Sequence, residues 1–165
     1  MSAPRILSLA VDEETQARWD EVRRAHFPAE RLLVGAHVTL FHALPADLEV
    51  EAALASATAR RPFDVRVAGV RSLGRGVAYD LESEELATLH RDLQQRWEER
   101  LTRQDRQPLR PHVTVQNKVD PTEAKATLAQ LREDFRAYDV TALGLDLWRY
   151  DDGPWTHLRR FELGS

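Results

Sequence analysis

Residues 37–40 read HVTL, and the pattern returns as HVTV at residues 112–115, displaced by 75 positions. A second match has the same displacement: residues 63–70 read FDVRVAGV and residues 138–145 read YDVTALGL. A fixed offset between independent matches is typical of an internal repeat. The sequence therefore predicts two similar halves, each with one His-x-Thr pair.

Runs rich in Val, Leu and aromatic residues predict the strands of both halves. They cover residues 6–11, 37–44, 63–73, 77–81, 112–115 and 138–150. Acidic and capping residues at 12–14 and 83–85, and the Pro-Thr-Glu of 121–123, predict helix starts. The turn residues at 151–154 predict a final hairpin with a strand over 155–163. Strand, helix, strand, helix, strand thus occurs twice.

We expect an α+β fold with a single domain over residues 1–165. It is internally duplicated and bilobal, with two antiparallel-rich sheets whose outer helices leave a central cleft open. The repeat lobes cover about residues 5–75 and 76–165, and strand exchange between them is left open.

The amino-acid composition limits the reactions and the binding partners that the chain can have. The chain has no cysteine, which excludes disulfides, thiolate metal sites and cysteine nucleophiles. The opening MSAPRILSLAVDEE lacks the apolar run of a secretory signal, and no stretch approaches a membrane span, so we expect a cytoplasmic monomer that binds no membrane. The net charge of −4 argues against long duplex nucleic acid and favours a small anionic ligand.

Four arginines crowd the segment ahead of the second His-x-Thr pair. They are Arg100, Arg103, Arg106 and Arg110. Two interpretations stay open: a solvated arginine-rich loop, or a segment that helps to capture an anion.

Strand geometry predicts where the two His-x-Thr pairs point. Alternate residues of a strand face the same way, so His37 and Thr39 share one face, and the apolar residues among 37–40 face the core. The same holds for His112 and Thr114. If the two halves are related by a two-fold axis, the four polar side chains line one cleft.

Two imidazoles and two hydroxyls suit in-line attack at phosphorus. One histidine can take a proton from the incoming oxygen while the other gives one to the departing oxygen. The threonine hydroxyls can donate hydrogen bonds to the non-bridging phosphate oxygens. This chemistry needs neither a metal nor a cofactor, and the likeness of the halves leaves open which histidine is the base.

Paired His-x-Thr motifs at 37–40 and 112–115, in a duplicated domain of this size, resemble the two-histidine (2H) phosphoesterase superfamily. Within it, the chain is most similar to bacterial proteins of the 2′-5′ RNA ligase and cyclic phosphodiesterase group, which the Gly-Pro-Trp of 153–155 also resembles. The resemblance implies metal-independent action on 2′,3′-cyclic or 2′-5′ phosphodiester bonds, with the reverse ligation open. It implies catalysis by both His and phosphate binding by both Thr. The negative charge favours a nucleotide, a small cyclic phosphate or an RNA end as substrate.

Residues beyond the motifs are candidates for substrate binding. Strand alternation places Phe41 and Gln116 on the cleft face, where Phe41 can stack on a base and Gln116 can hydrogen-bond one. The alternative is that both side chains line the cleft without recognising substrate. Alternation turns His42 away from the cleft unless a bulge intervenes. His90, on a charged helix, is expected to be solvated.

The last hairpin supplies three further candidates. Arg149, Tyr150 and Trp155 can frame an anionic nucleotide with a cation and aromatic surfaces. The alternative is ordinary packing of the hairpin.

Two rival hypotheses compete with the phosphoesterase. One is a metal site using the four histidines 37, 42, 112 and 157, although their spacing differs from that of known zinc motifs. The other is a non-catalytic nucleotide or RNA-binding module that keeps the cleft without turnover. Activity that survives EDTA and is lost in His37→Ala and His112→Ala distinguishes the esterase from both.

Overall fold

The computed structural model describes residues 3–164 and alternates strands with helices. Within these residues, strands β1 to β7 span Arg5–Val11, Val38–Leu44, Phe63–Ser72, Val77–Glu82, His112–Gln116, Tyr138–Tyr150 and Trp155–Glu162. Helices α1 to α4 span Glu13–His26, Glu51–Ala57, Glu84–Trp97 and Pro121–Glu133. Short 3₁₀ turns lie at Ala29–Arg31, Glu98–Arg100 and Gln104–Arg106. The predicted order of strands and helices is confirmed.

Three helices begin where the acidic and capping residues predict. The Asp12 carboxylate accepts the backbone N–H of Thr15 at 3.1 Å, and the Ser83 hydroxyl accepts that of Leu86 at 3.1 Å. Asp120 precedes α4, whose first residue is proline. These side chains satisfy N–H groups that have no partner inside a helix. In the part of the chain described, no helix combines the length and apolar character needed to cross a bilayer.

All strand pairings are antiparallel, and they form a single curled sheet in the order β2-β1-β6-β3-β4-β5, with β7 added to β6. The predicted α+β class is confirmed. The two antiparallel-rich sheets of the prediction form one continuous sheet, because the pairing of β3 with β6 joins them. β6 also pairs with β1, and β3 with β4, so strands from each predicted lobe pair with strands of the other.

The centre of the sheet follows the 75-residue offset. Val65 of β3 lies opposite Val140 of β6, which is the position 75 residues later. On one side of this pair Phe63 faces Ala142, and on the other Val67 faces Tyr138. The pairing is thus centred on two equivalent residues, as a local two-fold axis between the halves requires. The division into two repeat lobes itself stays a prediction.

Both motif strands contain a bulge immediately after the threonine. In the β1–β2 pair, Thr39 faces Ser8 and Phe41 faces Leu7, which leaves Leu40 without an opposite residue. In the β4–β5 pair, Thr114 faces Ala78 and Gln116 faces Val77, which leaves Val115 extra. A one-residue bulge reverses the alternation of the side chains that follow it. Phe41, His42 and Gln116 therefore point to the opposite face from the one that simple alternation predicts, whereas a second irregularity before Leu44 returns that side chain to the core.

The core lies between the sheet and the helices. Val38, Leu40, Val113 and Val115, the apolar residues of the two motifs, are buried as predicted. The largest fully buried side chains are Trp19, Phe41, Leu7, Leu40, Leu44, Leu54, Leu86, Leu89, Leu93 and Leu145. Each such aliphatic or aromatic side chain contributes about 1.5–3 kcal/mol of transfer free energy. The core thereby fixes the motif strands from behind.

Candidate active site

The two motif strands are the two ends of the sheet, and its curvature brings them together. β2 and β5 stand first and last in the strand order, yet their Cα atoms approach to within 8 Å. His37 immediately precedes β2, and His112 is the first residue of β5. Thr39 and Thr114 are both half-buried between buried apolar neighbours. The structure thus brings the two predicted pairs to one side of the molecule.

Both imidazole rings are anchored by the same kind of hydrogen bond to a backbone carbonyl. His37 Nδ1–H donates to the carbonyl of Gly35 at 2.8 Å, and His112 Nδ1–H donates to the carbonyl of Arg110 at 2.9 Å. Because a carbonyl oxygen only accepts, Nδ1 carries the hydrogen in both rings. In the neutral ring Nε2 is then the free nitrogen, available to accept a proton.

Each motif strand is braced by a helix of the opposite half. Arg23 of α1 donates to the carbonyl of Thr114 in β5 at 2.6 Å and to that of Val34 at 3.1 Å. His90 of α3 donates through Nε2–H to the carbonyl of Leu40 in β2 at 2.9 Å. Each motif strand is therefore fixed by a buried side chain from the other half. The expectation that His90 is solvated is wrong, because this hydrogen bond and burial hold it inside.

Trp155 covers one face of His37. The two ring centroids are 4.4 Å apart and the planes are tilted by 50°. Trp148 lies edge-on to Trp155 at 5.8 Å and donates from its indole N–H to the Ser8 hydroxyl at 2.9 Å. His37 lines a cavity of about 330 Å³ whose other polar lining includes Glu13, Gln16, Asp146, His157 and Arg160.

Burial gives His37 a pKa of about 4, well below its usual range. The hydrogen bond to the Gly35 carbonyl opposes this effect. Positive charge on Arg23, His112 and His42 adds to the lowering. His37 is therefore neutral at pH 7, with Nε2 able to accept a proton.

His112 lines a larger cavity, of about 460 Å³. Its polar lining includes Thr39, His42, Gln104, Gln107, Arg110 and His112, and Pro108 and Leu109 supply apolar wall. Gln104, Gln107 and Arg110 come from the arginine-rich segment, which runs along the outer edge of β2. This volume lies in the range of small-ligand sites.

The bulge in β2 carries His42 into this cavity. Its Nδ1 lies 3.2 Å from a carboxylate oxygen of Asp105, and its backbone N–H donates to the same oxygen at 2.8 Å. The N–H of Ala43 donates to the other oxygen at 2.9 Å. Burial opposes ionisation of Asp105, but these hydrogen bonds outweigh it and lower its pKa. The prediction that His42 points away from the cleft is wrong for the reason anticipated, a bulge.

The same bulges remove Phe41 and Gln116 from the cleft face. Phe41 is fully buried and stacks on His90 at a centroid distance of 4.6 Å. Gln116 is also buried, and its amide donates to the Thr127 hydroxyl at 2.8 Å. They occupy matching positions after the two bulges, but the prediction that they face substrate is wrong.

Of the three hairpin candidates, the structure brings only Trp155 to the site. Arg149 is exposed and pairs with Asp151, Nε to Oδ1, at 2.7 Å. Tyr150 is 37% exposed. Neither lines the cavity of His37 or that of His112. A substrate-binding role for Arg149 and Tyr150 has no support in this arrangement, and that for Trp155 stays a prediction.

Sequence reasoning missed a charged cluster beside His37. Asp146 of β6 is buried and accepts from Arg160 at 2.8 and 3.0 Å and from His157 at 2.9 Å. The one feature of the sequence that could have indicated this cluster is the carboxylate of Asp146 within an otherwise apolar strand. The four histidines 37, 42, 112 and 157 are distributed over two cavities, and within residues 3–164 no three or more His or acidic residues are grouped to hold a metal ion.

A curled antiparallel sheet with one His-x-Thr pair on each end strand defines the class, that of the two-histidine phosphoesterase fold. The sequence profile of the 2′-5′ RNA ligase superfamily matches residues 11–154. The chain therefore belongs to this superfamily, and the resemblance seen in the sequence is confirmed.

Solved structures share the whole fold at low sequence identity. TT0787 of Thermus thermophilus is 21% identical over 97% of both chains, with a TM-score of 0.65. A crystal structure described as a phosphoesterase is 17% identical over 100% of both chains, with a TM-score of 0.61. E. coli LigT complexed with 3′-AMP is 19% identical over 100% of both chains, with a TM-score of 0.60. A search of curated protein sequences finds no significant match.

Proposed function

We propose that the protein is a metal-independent phosphoesterase that hydrolyses 2′,3′-cyclic phosphodiester bonds of nucleotides or RNA ends by two-histidine acid and base catalysis. One observation carries the proposal: two imidazoles, one from each end of the sheet, are anchored by the same Nδ1–H bond and followed by a threonine two residues later. General acid and base catalysis needs two such groups on opposite sides of the reacting phosphorus. The superfamily to which the chain belongs supports an enzyme of phosphoester chemistry.

In this proposal His37 is the base. Its lowered pKa keeps Nε2 unprotonated at neutral pH, so it accepts the proton of the attacking water. The water oxygen forms a bond to phosphorus as the bond to one ribose oxygen breaks. His112 Nε2–H gives its proton to that departing oxygen. The product is a nucleoside monophosphate, and exchange with solvent returns both rings to their starting states.

Thr39 and Thr114 stabilise the charge that develops on phosphate. Their hydroxyls donate hydrogen bonds to the non-bridging oxygens from the two sides of the cleft. Both backbones are fixed, since β2 and β5 are braced from behind by His90 and Arg23. Donors that are already in place cost no reorganisation during the reaction.

The substrate class is a small nucleotide or an RNA end. The cavity beside His112, about 460 Å³, matches the size of small-ligand sites. E. coli LigT has been crystallised with ATP, with NADP+ and with 3′-AMP. The net charge of −4 disfavours long duplexes as substrate. Run in reverse, the same groups would join a cyclic phosphate to a hydroxyl, which is the ligation that the superfamily is named for.

The test is turnover of nucleoside 2′,3′-cyclic phosphates and 2′-5′-linked dinucleotides in the presence of EDTA. We expect hydrolysis of the cyclic phosphate by the unaltered protein, and loss of most activity in His37→Ala and in His112→Ala. His26→Ala, a histidine at the end of α1 and outside both cavities, is the matched control. Binding of nucleotides without turnover by the unaltered protein would replace the esterase with a binding module.

A further inference from the structure

His42 is a third imidazole on the face of β2 that carries Thr39. The bulge at Leu40 turns two successive side chains, Leu40 and Phe41, into the core, so the next one returns to the cleft face. The bulge absorbs one residue, which leaves two strand steps, roughly 7 Å, between Thr39 and His42. His42 therefore stands beyond the reacting centre on the same wall.

Asp105 fixes the orientation of this imidazole. One carboxylate oxygen faces Nδ1 of His42 at 3.2 Å, and the two oxygens also accept the backbone N–H groups of His42 and Ala43. The Asp105 side chain is 1% exposed, whereas that of His42 is 47% exposed. The ring is thus held at its inner nitrogen, and Nε2 is the nitrogen left for a ligand.

The surroundings of His42 favour an anion. Among the described residues that line this cavity, the single carboxylate is Asp105, and hydrogen bonds occupy both of its oxygens. Arg110 lines the same cavity, and the Gln104 and Gln107 amides add neutral polar groups. When His42 donates from Nδ1 to Asp105 and from Nε2 to an anion, the ring is an imidazolium, the form that binds phosphate oxygens best.

We propose that His42, held by Asp105 and aided by Arg110, binds a second phosphate group of the substrate beside the scissile one. This inference rests on the proposed function, and it names the substrate class: nucleotides with a phosphate in addition to the cyclic one, as at the 3′ end of an RNA. A nucleoside with only the cyclic phosphate leaves His42 unused.

Two substrates that differ by one phosphate test the proposal. They are adenosine 2′,3′-cyclic phosphate and its 5′-phosphorylated form. We expect the unaltered protein to show a lower KM for the 5′-phosphorylated form. In His42→Gln the KM for that form should rise about tenfold while kcat changes less than about twofold, and the kinetics of the plain cyclic phosphate should stay within about twofold. His26→Gln is the matched control.

Each other outcome overturns the assignment. An equal loss with both substrates would place His42 at the scissile phosphate, and no change with either would make it a structural partner of Asp105. A binding measurement separates this inference from the proposed function. If the unaltered protein turns over neither substrate, calorimetry with adenosine 3′,5′-bisphosphate and adenosine 3′-phosphate decides: a loss of about tenfold in affinity for the bisphosphate alone, in His42→Gln, supports the second phosphate site.

Discussion

The half of the cleft around His37 shares the backbone anchor of its imidazole with the half around His112 but differs from it in the side chains that line its cavity. Both rings donate Nδ1–H to the carbonyl two residues earlier, at 2.8 and 2.9 Å. Around His37 the walls include Trp155 and two carboxylates, Glu13 and Asp146. Around His112 the cavity is larger and its lining carries Arg110 and His42.

A symmetric backbone thus supports an asymmetric reaction. The backbone sets the tautomer and the direction of both rings, which acid and base catalysis needs equally. The side chains around each ring then give the two histidines different roles in catalysis, because burial keeps His37 neutral at pH 7. A neutral imidazole suits the base, and the half with Arg110 suits the anionic part of the substrate.

The largest expected effect is on kcat, and its dependence on the leaving group distinguishes the base His37 from the acid His112. With adenosine 2′,3′-cyclic phosphate, His37→Ala and His112→Ala should each lower kcat about 10³-fold. A p-nitrophenyl phosphodiester of adenosine has a leaving group that needs no proton, so the loss in His112→Ala should shrink to about tenfold while that in His37→Ala stays. Initial rates of the two variants on both substrates give the answer. The opposite pattern would exchange the roles of the two histidines.

The threonines should behave alike in the two halves, because they act on phosphate oxygens and not on the proton. Thr39→Val and Thr114→Val keep the side-chain shape and remove the donor, and each should lower kcat about 10²-fold. Steady-state kinetics measure this, with the exposed Thr88→Val on α3 as control. A large loss for one threonine and none for the other would limit phosphate binding to one half.

Two glycines at the same place in the repeat should differ in their tolerance of a methyl group. A Cβ on Gly144 would meet the backbone carbonyl oxygen of Phe161 at 2.5 Å, where β7 pairs with β6. A Cβ on Gly69, 75 positions earlier, meets nothing within 4 Å. Gly144→Ala should lower the free energy of unfolding by about 2 kcal/mol, and Gly69→Ala should change it by less than about 0.5 kcal/mol. Equal denaturation midpoints for the two variants would contradict the close approach of β7.

The smallest effect concerns Trp155 and the pH profile. Because His37 must be neutral to act as base, kcat/KM should fall on the acid side with an apparent pKa near 4. Trp155→Ala admits water to the ring, favours the charged form and should move this limb upward by roughly one unit. The pH dependence of kcat/KM between 3.5 and 8 measures it, and Trp155→Phe, which keeps a covering ring, should shift the limb less. If the acid limb of the profile is unchanged in Trp155→Ala, side chains other than Trp155 are responsible for the burial of His37.

The sequence predicts most of the frame because its signals are local or periodic. The 75-residue offset, the apolar runs and the helix caps at Asp12 and Ser83 each depend on short stretches of chain. Alternation on a strand also placed Val38 and Val113 in the core correctly.

The errors begin two residues after each threonine, at Phe41 and Gln116. A bulge depends on the register of the partner strand and on what the core accepts, so nothing within residues 37–44 reveals it. Phe41 packs on His90 and Trp97, which lie about 50 residues away in sequence. His42 and Asp105 are 63 residues apart in sequence, which is why alternation could not place His42.

A crystal structure with inorganic phosphate would show whether one phosphate is held between the two halves of the cleft. We expect an anion with non-bridging oxygens at hydrogen-bond distance from the Thr39 and Thr114 hydroxyls, and with Nε2 of His37 and of His112 on opposite sides of it. An anion that contacts only one half, or one seated beside Arg160 away from both threonines, would contradict it.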